Sequence, residues 1–169
     1  MKNWGRKILI ITQNNKQFTD NSSLATKDTT FVISDQNKRF EENAKENGCV
    51  DFIKSSELKD FFDFSSIQVI GITGTNGKTT TAAAIYSMLL DLGYKVALQG
   101  TRGFFINDEK MEDYSLTTPV QLSNFNHISK AIENDCDFFV MEVSSHAISQ
   151  NRIEGINFAL KIHTNITQD

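Results

Sequence analysis

A glycine- and threonine-rich segment in the middle of the chain restricts the fold more than any other feature. Residues 71–80 read GITGTNGKTT, and they lie between the apolar run at residues 67–72 and a stretch of helical periodicity. A strand that passes through such a loop into a helix is typical of a phosphate-binding loop. Gly74 and Gly77 allow a tight turn whose N–H groups converge on phosphate oxygens. The segment therefore predicts a nucleotide-binding domain with a parallel sheet.

The side chains of this loop predict how it would hold a nucleotide. We expect Lys78 to reach the β- and γ-phosphates and the Thr79 hydroxyl to bind Mg²⁺. In the common pattern four residues separate a first glycine from the Gly-Lys pair, but Ile72 stands at the position of that glycine. The loop is therefore a variant of that pattern. The alternative is a glycine-rich turn with a solvated lysine, which the agreement of strand, loop and helix disfavours.

Hydrophobic patterning predicts an α/β protein with two parts. With 169 residues, of which 39% are hydrophobic and 22% charged, the chain can bury a core. We predict a small α/β unit at residues 1–65 and the first part of a P-loop parallel-sheet ATPase domain at residues 66–169. Strands that alternate with helices in the second part predict helices on both faces of its sheet.

The predicted elements follow from short apolar runs and helical spacing. In the first part we predict strands at residues 6–12, 31–33 and 49–53, a helix at 40–47 and a loop at 13–30. In the second part we predict strands at residues 67–72, 95–99, 137–143 and 158–162 and helices at 78–92 and from Thr118-Pro119 to Glu133. In these helices the predicted core faces are Ala82, Ile85, Leu89 and Leu92, and Leu122, Phe125, Ile128 and Ile132. Thr118 and Pro119 are expected to be the N-cap and first-turn proline of the last helix.

Charge and composition exclude several classes of partner. The formal net charge is -4 and no basic run occurs, which disfavours nucleic-acid binding. No apolar stretch reaches the roughly 18 residues of a membrane span. Cys49 and Cys136 lie far apart without a CxxC motif, so we expect no disulfide framework. A reducing cytoplasm fits this cysteine usage.

A predicted buried strand ends in an acid at Glu142. In P-loop proteins a neighbouring strand commonly delivers a carboxylate to the metal ion. A single acid at a strand end is otherwise a solvated terminus. In combination with the phosphate loop we predict Glu142 to be a ligand of Mg²⁺.

Polar residues follow directly after this acid. Ser144, Ser145 and His146 come where ligand crevices of open α/β sheets lie. A serine nucleophile with a histidine base is disfavoured, because no G-x-S-x-G elbow is present and sequence neighbours rarely form such a pair. Arg152 follows Gln150 and could clamp a phosphate or carboxylate, although spacing alone favours a surface arginine. Thr117 and Thr118 are open to two interpretations, as anion contacts or as ordinary caps.

Three segments together resemble the Mur ligase family and its folylpolyglutamate synthetase relatives. They are GITGTNGKTTT at residues 71–81, LTTP at 116–119 and MEVSSHAISQNRIEG at 141–155, and HTNITQD at 163–169 extends the likeness to the end of the chain. Within the family, LTTP at 116–119 and MEVSSHAISQNRIEG at 141–155 resemble the ligases of the muramoyl-tripeptide stage. From residue 66 onward the likeness is specific, whereas over residues 1–65 it is weak.

The resemblance implies ATP-driven amide-bond formation in peptidoglycan synthesis. A carboxylate of UDP-MurNAc-L-Ala-D-Glu would attack the γ-phosphate and become an acyl phosphate. The amine of diaminopimelate or lysine would then displace phosphate from it and form the amide bond. The implied ATP contacts are Gly74, Thr75, Asn76, Gly77, Lys78, Thr79 and Thr80. The implied Mg²⁺ ligands are Thr79 and Glu142, with Lys78 and Glu142 as catalytic residues. The implied contacts to the UDP-muramoyl dipeptide are Thr117, Thr118, Ser144, Gln150 and Arg152.

The resemblance also gives expectations for the two ends of the chain. The stretch Asp20-Asn21-Ser22-Ser23 is similar to the uridine-contacting segment of the family, with Ser22 or its neighbour Ser23 as the contact. The C-terminal, amino-acid-binding domain of the family would lie beyond Asp169. We therefore expect these 169 residues alone to be inactive in ligation. The last predicted strand would leave an open sheet edge that favours self-association or poor order near the C-terminus.

Two alternatives compete with this interpretation. A related ligase of the folate or cyanophycin type would act on a different carboxylate with the same loop. A P-loop regulator would need a base-reading motif such as Asn-Lys-x-Asp, which the sequence lacks.

Overall fold

The computed structural model describes residues 10–113 and 116–166, and the chain divides into two compact units after Asp63. Unit 1 ends at Asp63 and unit 2 begins at Phe64. Each unit has its own sheet and its own buried core, so the two are described separately.

Unit 1 contains a four-stranded sheet in the order β1-β2-β3-β4. Its strands are β1 Ile11–Gln13, β2 Lys16–Thr19, β3 Thr29–Ile33 and β4 Asp51–Lys54. Strands β2, β3 and β4 are parallel, and β1 pairs with β2 in antiparallel orientation. Helix α1 spans Glu41–Glu46, and short 3₁₀ helices span Ser22–Leu24, Lys38–Phe40 and Ser55–Phe61. The core contains Phe31 and Ala44.

The predicted loop at residues 13–30 is wrong in part, because β2 lies inside it. Asn14 and Asn15 join β1 to β2 with positive φ angles of 50° and 61°. A two-residue hairpin turn requires this conformation, and asparagine tolerates it. The predicted first strand at residues 6–12 falls mostly on residues 6–9, which lie outside the described part of the chain.

Unit 2 contains a six-stranded sheet in the order β10-β5-β9-β6-β7-β8. Its strands are β5 Gln68–Thr73, β6 Val96–Gly100, β7 Gly103–Ile106, β8 Glu109–Glu112, β9 Phe138–Glu142 and β10 Leu160–His163. Its helices are α2 Lys78–Asp91, α3 Gln121–Glu133 and α4 Ser145–Ser149. Strands β10, β5, β9 and β6 are parallel, which confirms the predicted α/β class with a parallel sheet. The β7–β8 hairpin, which the sequence analysis did not predict, extends one edge in antiparallel orientation.

Helices cover both faces of this sheet, as predicted. On β6, Val96 and Leu98 pack in the cluster that contains Ile85 and Leu89 of α2. Gln99, which directly follows Leu98, contacts α3 instead, through a hydrogen bond to Asn124. Since successive side chains of a strand point to opposite faces, α2 and α3 lie on opposite sides.

Two details of the predicted helices are wrong. Leu92 is 71% exposed, because α2 ends at Asp91 and Gly93 turns the chain away with a φ of +87°. Helix α3 begins at Gln121 with Val120 as the N-cap, so Thr118 and Pro119 precede it. The Thr118 hydroxyl contacts β9 instead, which leaves it unable to cap the helix.

Strand β10 forms one edge of the sheet, and Leu160 on it is 50% exposed. The poor order expected near the C-terminus concerns residues 167–169, which lie outside the described part of the chain. No helix in the described ranges has the length and apolar character needed to cross a membrane. Cys49 and Cys136 are buried free thiols, one in each unit. Burial raises the pKa of Cys136 to about 11.

Candidate functional site

The candidate site lies at the carboxyl edge of the parallel strands in unit 2. Strand β9 lies between β5 and β6, although it follows both in the sequence. The segments that leave β5, β6, β9 and β10 therefore meet at one edge of the sheet. Ligand crevices of open α/β sheets form at this kind of edge.

The phosphate loop connects β5 to α2 in the conformation that its glycines permit. Gly74 has a φ of +136° and Gly77 a φ of +84°, both in the region that side-chain-bearing residues avoid. A Cβ atom on Gly74 would also collide with the hydroxyl of Thr164. Helix α2 begins at Lys78, so the N-terminal N–H groups of this helix belong to the loop.

The ammonium group of Lys78 lies against the loop itself. Its Nζ atom donates to the carbonyl oxygen of Gly74 at 2.6 Å and to that of Thr75 at 3.2 Å. These contacts hold a positive charge within the loop, where phosphate oxygens would be bound. Thr80 is exposed in the first turn of α2.

The segment after β10 braces the other side of the loop, which the sequence analysis did not predict. The Thr164 hydroxyl donates to the carbonyl oxygen of Asn76 at 2.6 Å. The Asn165 amide contacts both backbone groups of Asn76, with Nδ2 donating to its oxygen and Oδ1 accepting from its N–H, each at 3.1 Å. The N–H of Thr75 donates to the Asn165 carbonyl at 3.3 Å. These contacts join residues about ninety positions apart in the sequence. The one sequence signal for them is that Thr164 and Asn165 closely follow a predicted strand.

Glu142 is the buried carboxylate of the site, with 2% of its surface exposed. The Thr79 hydroxyl donates to its Oε2 atom at 2.8 Å, which brings the two predicted metal ligands together. The backbone N–H of Thr101 donates to Oε1 at 2.9 Å, and the Thr101 hydroxyl lies 3.3 Å from Oε2. Thr101 follows β6 and was missed by the sequence analysis, because its place beside Glu142 depends on the strand order.

The donor set around Glu142 fits Mg²⁺. Mg²⁺ binds oxygen ligands and usually takes one or two carboxylates, with substrate phosphates and water completing the octahedron. Glu142 and Thr79 supply a carboxylate and a hydroxyl beside the phosphate loop. Among the residues that the structure describes, no group of three or more His, Cys, Asp or Glu could form an all-protein cage. A site that shares its metal with a nucleotide matches this arrangement.

The two threonines before α3 differ in accessibility. Thr117 is half-buried, and its hydroxyl lies 3.2 Å from that of Thr101, next to Glu142. Thr118 is 1% exposed. Its hydroxyl donates to the backbone oxygen of Glu142 at 2.9 Å and accepts from the N–H of Ser144 at 3.0 Å. The Thr118 hydroxyl therefore both donates and accepts a hydrogen bond within the protein. These bonds fix the segment before α3 against the end of β9.

Arg152 and Gln150 form a connected pair beside Thr118. The Nε and Nη2 atoms of Arg152 donate to Oε1 of Gln150 at 3.0 and 2.6 Å, and Nη1 donates to the Thr118 carbonyl at 2.8 Å. Burial lowers the pKa of Arg152 from its ordinary value. These contacts orient a cation beside the segment that carries Thr117 and Thr118.

Ser144 caps the short helix α4. Its hydroxyl accepts from the N–H of Ala147 at 3.2 Å, and His146 lies exposed on the same helix. The geometry thus gives Ser144 an ordinary cap role and shows no nucleophile–base pairing between these two residues. The remaining predicted contact, Ser22, lies in unit 1, where its carbonyl accepts from Asn47 at 2.9 Å. Ser23 donates its N–H to Asn21 at 3.0 Å.

Comparison with known proteins places this geometry in a family. The sequence profile described as the Mur ligase middle domain matches residues 72–169, which is more than half of the chain. The chain belongs to the Mur ligase family. The predicted resemblance is thereby confirmed, and the loop, Glu142 and the segment after β10 all lie within the matched region.

Curated relatives of the chain are muramoyl-peptide ligases. A UDP-N-acetylmuramoyl-L-alanyl-D-glutamate–2,6-diaminopimelate ligase of Wolinella succinogenes is 56% identical over 151 residues, covering 89% of this chain and 35% of the relative. A ligase of the same name from Helicobacter hepaticus is 54% identical over 143 residues, covering 82% and 31%. A UDP-N-acetylmuramoyl-L-alanyl-D-glutamate–L-lysine ligase of Staphylococcus haemolyticus is 42% identical over 110 residues, covering 64% and 22%. The chain spans about a third or less of the length of these relatives.

A solved structure supports the same fold. The structure of a UDP-N-acetylmuramoyl-L-alanyl-D-glutamate–2,6-diaminopimelate ligase aligns with a TM-score of 0.73 and 22% sequence identity. The alignment covers 90% of this chain and 36% of that chain.

Proposed function

We propose that this chain is part of an ATP-dependent ligase that adds 2,6-diaminopimelate to UDP-MurNAc-L-Ala-D-Glu in peptidoglycan synthesis. The names of the relatives from Wolinella succinogenes and Helicobacter hepaticus support this substrate pair. The relative whose name gives L-lysine is less similar to the chain, at 42% identity. In this proposal residues 1–65 bind the UDP-muramoyl substrate, and residues 66–169 bind ATP.

The hydrogen bond between Thr79 and Glu142 is the observation that carries the proposal. It brings the loop and the β9 carboxylate together across 63 residues at 2.8 Å, while the Lys78 ammonium lies against the loop carbonyl of Gly74. ATP phosphates would lie on the N–H groups of residues 74–80, and Lys78 would neutralise charge on the β- and γ-phosphates. Thr79 and Glu142 would hold Mg²⁺, whose chemistry when bound is to neutralise charge on the transferring phosphoryl group.

The other substrate would bind at the carboxyl edge near Glu142, on four residues that we call the polar arm: Thr117, Ser144, Gln150 and Arg152. The carboxylate of the muramoyl dipeptide would meet the guanidinium cation of Arg152 there. Arg152 would orient that carboxylate toward the γ-phosphate. Attack would break the bond from the γ-phosphorus to ADP and give an acyl phosphate, from which the incoming amine would displace phosphate. Thr118 would hold the polar arm in position, since its hydroxyl is hydrogen-bonded to the backbone of Glu142 and Ser144. Ser22 or Ser23 remains the predicted uridine contact.

The proposed location is the cytoplasm. ATP and a UDP-linked substrate are used there, and the free thiols of Cys49 and Cys136 are compatible with a reducing compartment.

Calorimetric titration with ATP and Mg²⁺ tests the nucleotide part of the proposal. We expect wild type and Lys95→Ala to bind, because Lys95 is exposed and pairs with Asp135 away from the loop. Lys78→Ala should lose most of the affinity. If Lys78→Ala binds ATP as well as the other two proteins, the phosphate-loop assignment fails.

A second titration separates this substrate from the alternatives. UDP-MurNAc-L-Ala-D-Glu and folate are titrated separately into the ATP-loaded protein, because the chain spans only part of its relatives and binding is a better readout than turnover. Binding of the UDP-linked compound alone supports the proposal. Binding of folate alone supports a folate-type ligase, and nucleotide binding without either compound supports a P-loop regulator.

A further inference from the structure

A chain of buried polar side chains crosses the face of unit 2 that α3 covers. Gln99 on β6 and Asn124 on α3 have no exposed surface, and His127 on α3 is 3% exposed. The ring of Phe104 stacks on the His127 imidazole with a centroid distance of 4.4 Å and an interplanar angle of 20°. This histidine lies outside the candidate site, so its burial has another cause.

The direction of the hydrogen bonds places a proton on one nitrogen of His127. The Nδ2 atom of Asn124 donates to the carbonyl oxygens of Arg152 at 2.8 Å and Pro119 at 3.2 Å, so Oδ1 of Asn124 is its acceptor. That oxygen accepts from Nε2 of Gln99 at 2.9 Å. The remaining oxygen of Gln99 lies 2.7 Å from Nδ1 of His127. An amide oxygen only accepts, so Nδ1 carries a proton.

The second nitrogen of His127 faces a carboxylate. Its Nε2 atom lies 3.6 Å from Oε2 of Glu112 on β8, and the other oxygen of Glu112 lies 2.9 Å from Nζ of Lys130 on α3. Interaction with His127 and then with Lys130 holds the pKa of Glu112 well below its usual range. An ionised carboxylate also only accepts. A charged ring donates from Nδ1 to Gln99 and carries its second N–H opposite the Glu112 carboxylate at 3.6 Å, within ion-pair distance.

We propose that His127 is a buried imidazolium and a positioning residue, which acts through Gln99 and Asn124 on the backbone carbonyls of Pro119 and Arg152. Of the groups that face the ring in the described structure, Gln99 on β6 and Phe104 on β7 are uncharged. Glu112 on β8 carries the charge that faces the ring, and Lys130 on α3 shares that carboxylate.

The two carbonyls belong to the segments that carry the polar arm. Pro119 follows Thr117 and Thr118 in the sequence. Arg152 is itself part of the polar arm, where it is hydrogen-bonded to Gln150. One amide, that of Asn124, therefore ties both segments to α3. The charge state of His127 rests on the hydrogen bond at Nδ1 and on the 3.6 Å separation of Nε2 from Glu112. Its consequence for substrate binding rests on the proposed function.

Nitrogen-detected NMR of ¹⁵N-labelled histidines at pH 8 tests the charge state directly. At this pH an ordinary histidine is neutral, so free ¹⁵N-labelled histidine serves as the external reference. We expect two protonated ring nitrogens for His127 and one for the free histidine. Loss of the signal in His127→Gln provides the assignment. A non-protonated nitrogen on His127 at pH 8 overturns the proposal.

Glu112→Gln tests the source of the charge without removing the histidine, with Glu109→Gln on the same strand as the matched exposed control. We expect His127 to lose its second proton at pH 8 in Glu112→Gln only. Relative to the N–H groups of the core strand β9, exchange of the Ser144 N–H, which donates to Thr118, should accelerate about tenfold in the same variant.

The outcomes separate the parts of the inference. A doubly protonated His127 in Glu112→Gln at pH 8 overturns Glu112 as the source of the charge, and unchanged Ser144 exchange overturns the positioning role. Failure of ATP binding by the wild-type protein would remove the proposed function, and it would leave the charge state of His127 as measured.

Discussion

Among its described residues, unit 2 largely buries two carboxylates, Glu142 and Glu112, and it satisfies them in opposite ways. Glu142 receives hydrogen bonds from uncharged donors, namely the Thr79 hydroxyl and the Thr101 N–H and hydroxyl. Glu112 is already paired with Lys130 and faces His127. A buried charge without a cation is costly, and such cost is typical of functional sites. This difference fits the proposed metal-binding role of Glu142, whereas Glu112 stabilises the fold.

Gly100→Ala should show the largest effect, because it acts sterically on the Glu142 side. A Cβ atom at Gly100 would overlap the Glu142 carboxylate, which the surrounding threonines hold in place. We expect a loss of about 1–3 kcal/mol in the free energy of unfolding, measured with urea. In a Glu142→Ala background the added methyl has room, so its cost should fall. An equal cost in both backgrounds would show that the carboxylate position is not what Gly100 protects.

Glu112→Gln should destabilise the protein by about 1–2 kcal/mol, at the lower end for a charged hydrogen bond because Lys130 is about a third exposed. The effect should depend on pH. The pKa of Glu112 is lowered in the folded state, so its contribution is present above the unfolded-state pKa of about 4.3 and is lost as the pH falls through the folded value.

Urea unfolding at pH 7, 5, 4 and 3 checks both expectations. Wild type and Glu109→Gln should lose stability in parallel below about pH 5, and Glu112→Gln should show a flatter profile. A Glu112→Gln profile parallel to that of wild type would contradict an ion pair at this carboxylate.

Glu142→Gln should have the smallest effect on stability and the opposite sign. The amide retains an acceptor for the N–H of Thr101 and removes a charge that uncharged groups surround. We expect the free energy of unfolding without nucleotide to stay unchanged or to rise by up to about 1 kcal/mol. A loss as large as that of Glu112→Gln would remove the contrast between the two carboxylates.

Local sequence signals predicted the elements that frame the site. Strand β5 and helix α2 lie within a residue of their predicted bounds, because the apolar run, Gly74 and Gly77 mark both ends of the loop. The acid at the end of β9 was likewise visible as the last residue of an apolar run. Such features depend on residues close in sequence, so patterning is sufficient to find them.

Contacts that depend on strand order could not be predicted in this way. Thr101 and Asn165 join the site because β9 inserts between β5 and β6 and β10 pairs with β5 on the other side. The same applies to Gln99 and His127, which meet only when α3 packs on the outer face of β6. Helical spacing also placed Leu92 on the buried face of α2, whereas the helix ends one residue earlier.

Binding of a paramagnetic metal–nucleotide complex tests the central claim most directly. Mn²⁺ replaces Mg²⁺ as probe, and water-proton relaxation is measured for ATP complexes of wild type, Glu112→Gln and Glu142→Gln. Wild type and Glu112→Gln should bind Mn²⁺ and ATP together, and Glu142→Gln should bind the pair at least about tenfold more weakly. Equal relaxation in Glu142→Gln and wild type would contradict the assignment of Glu142 as the metal-binding carboxylate of the site.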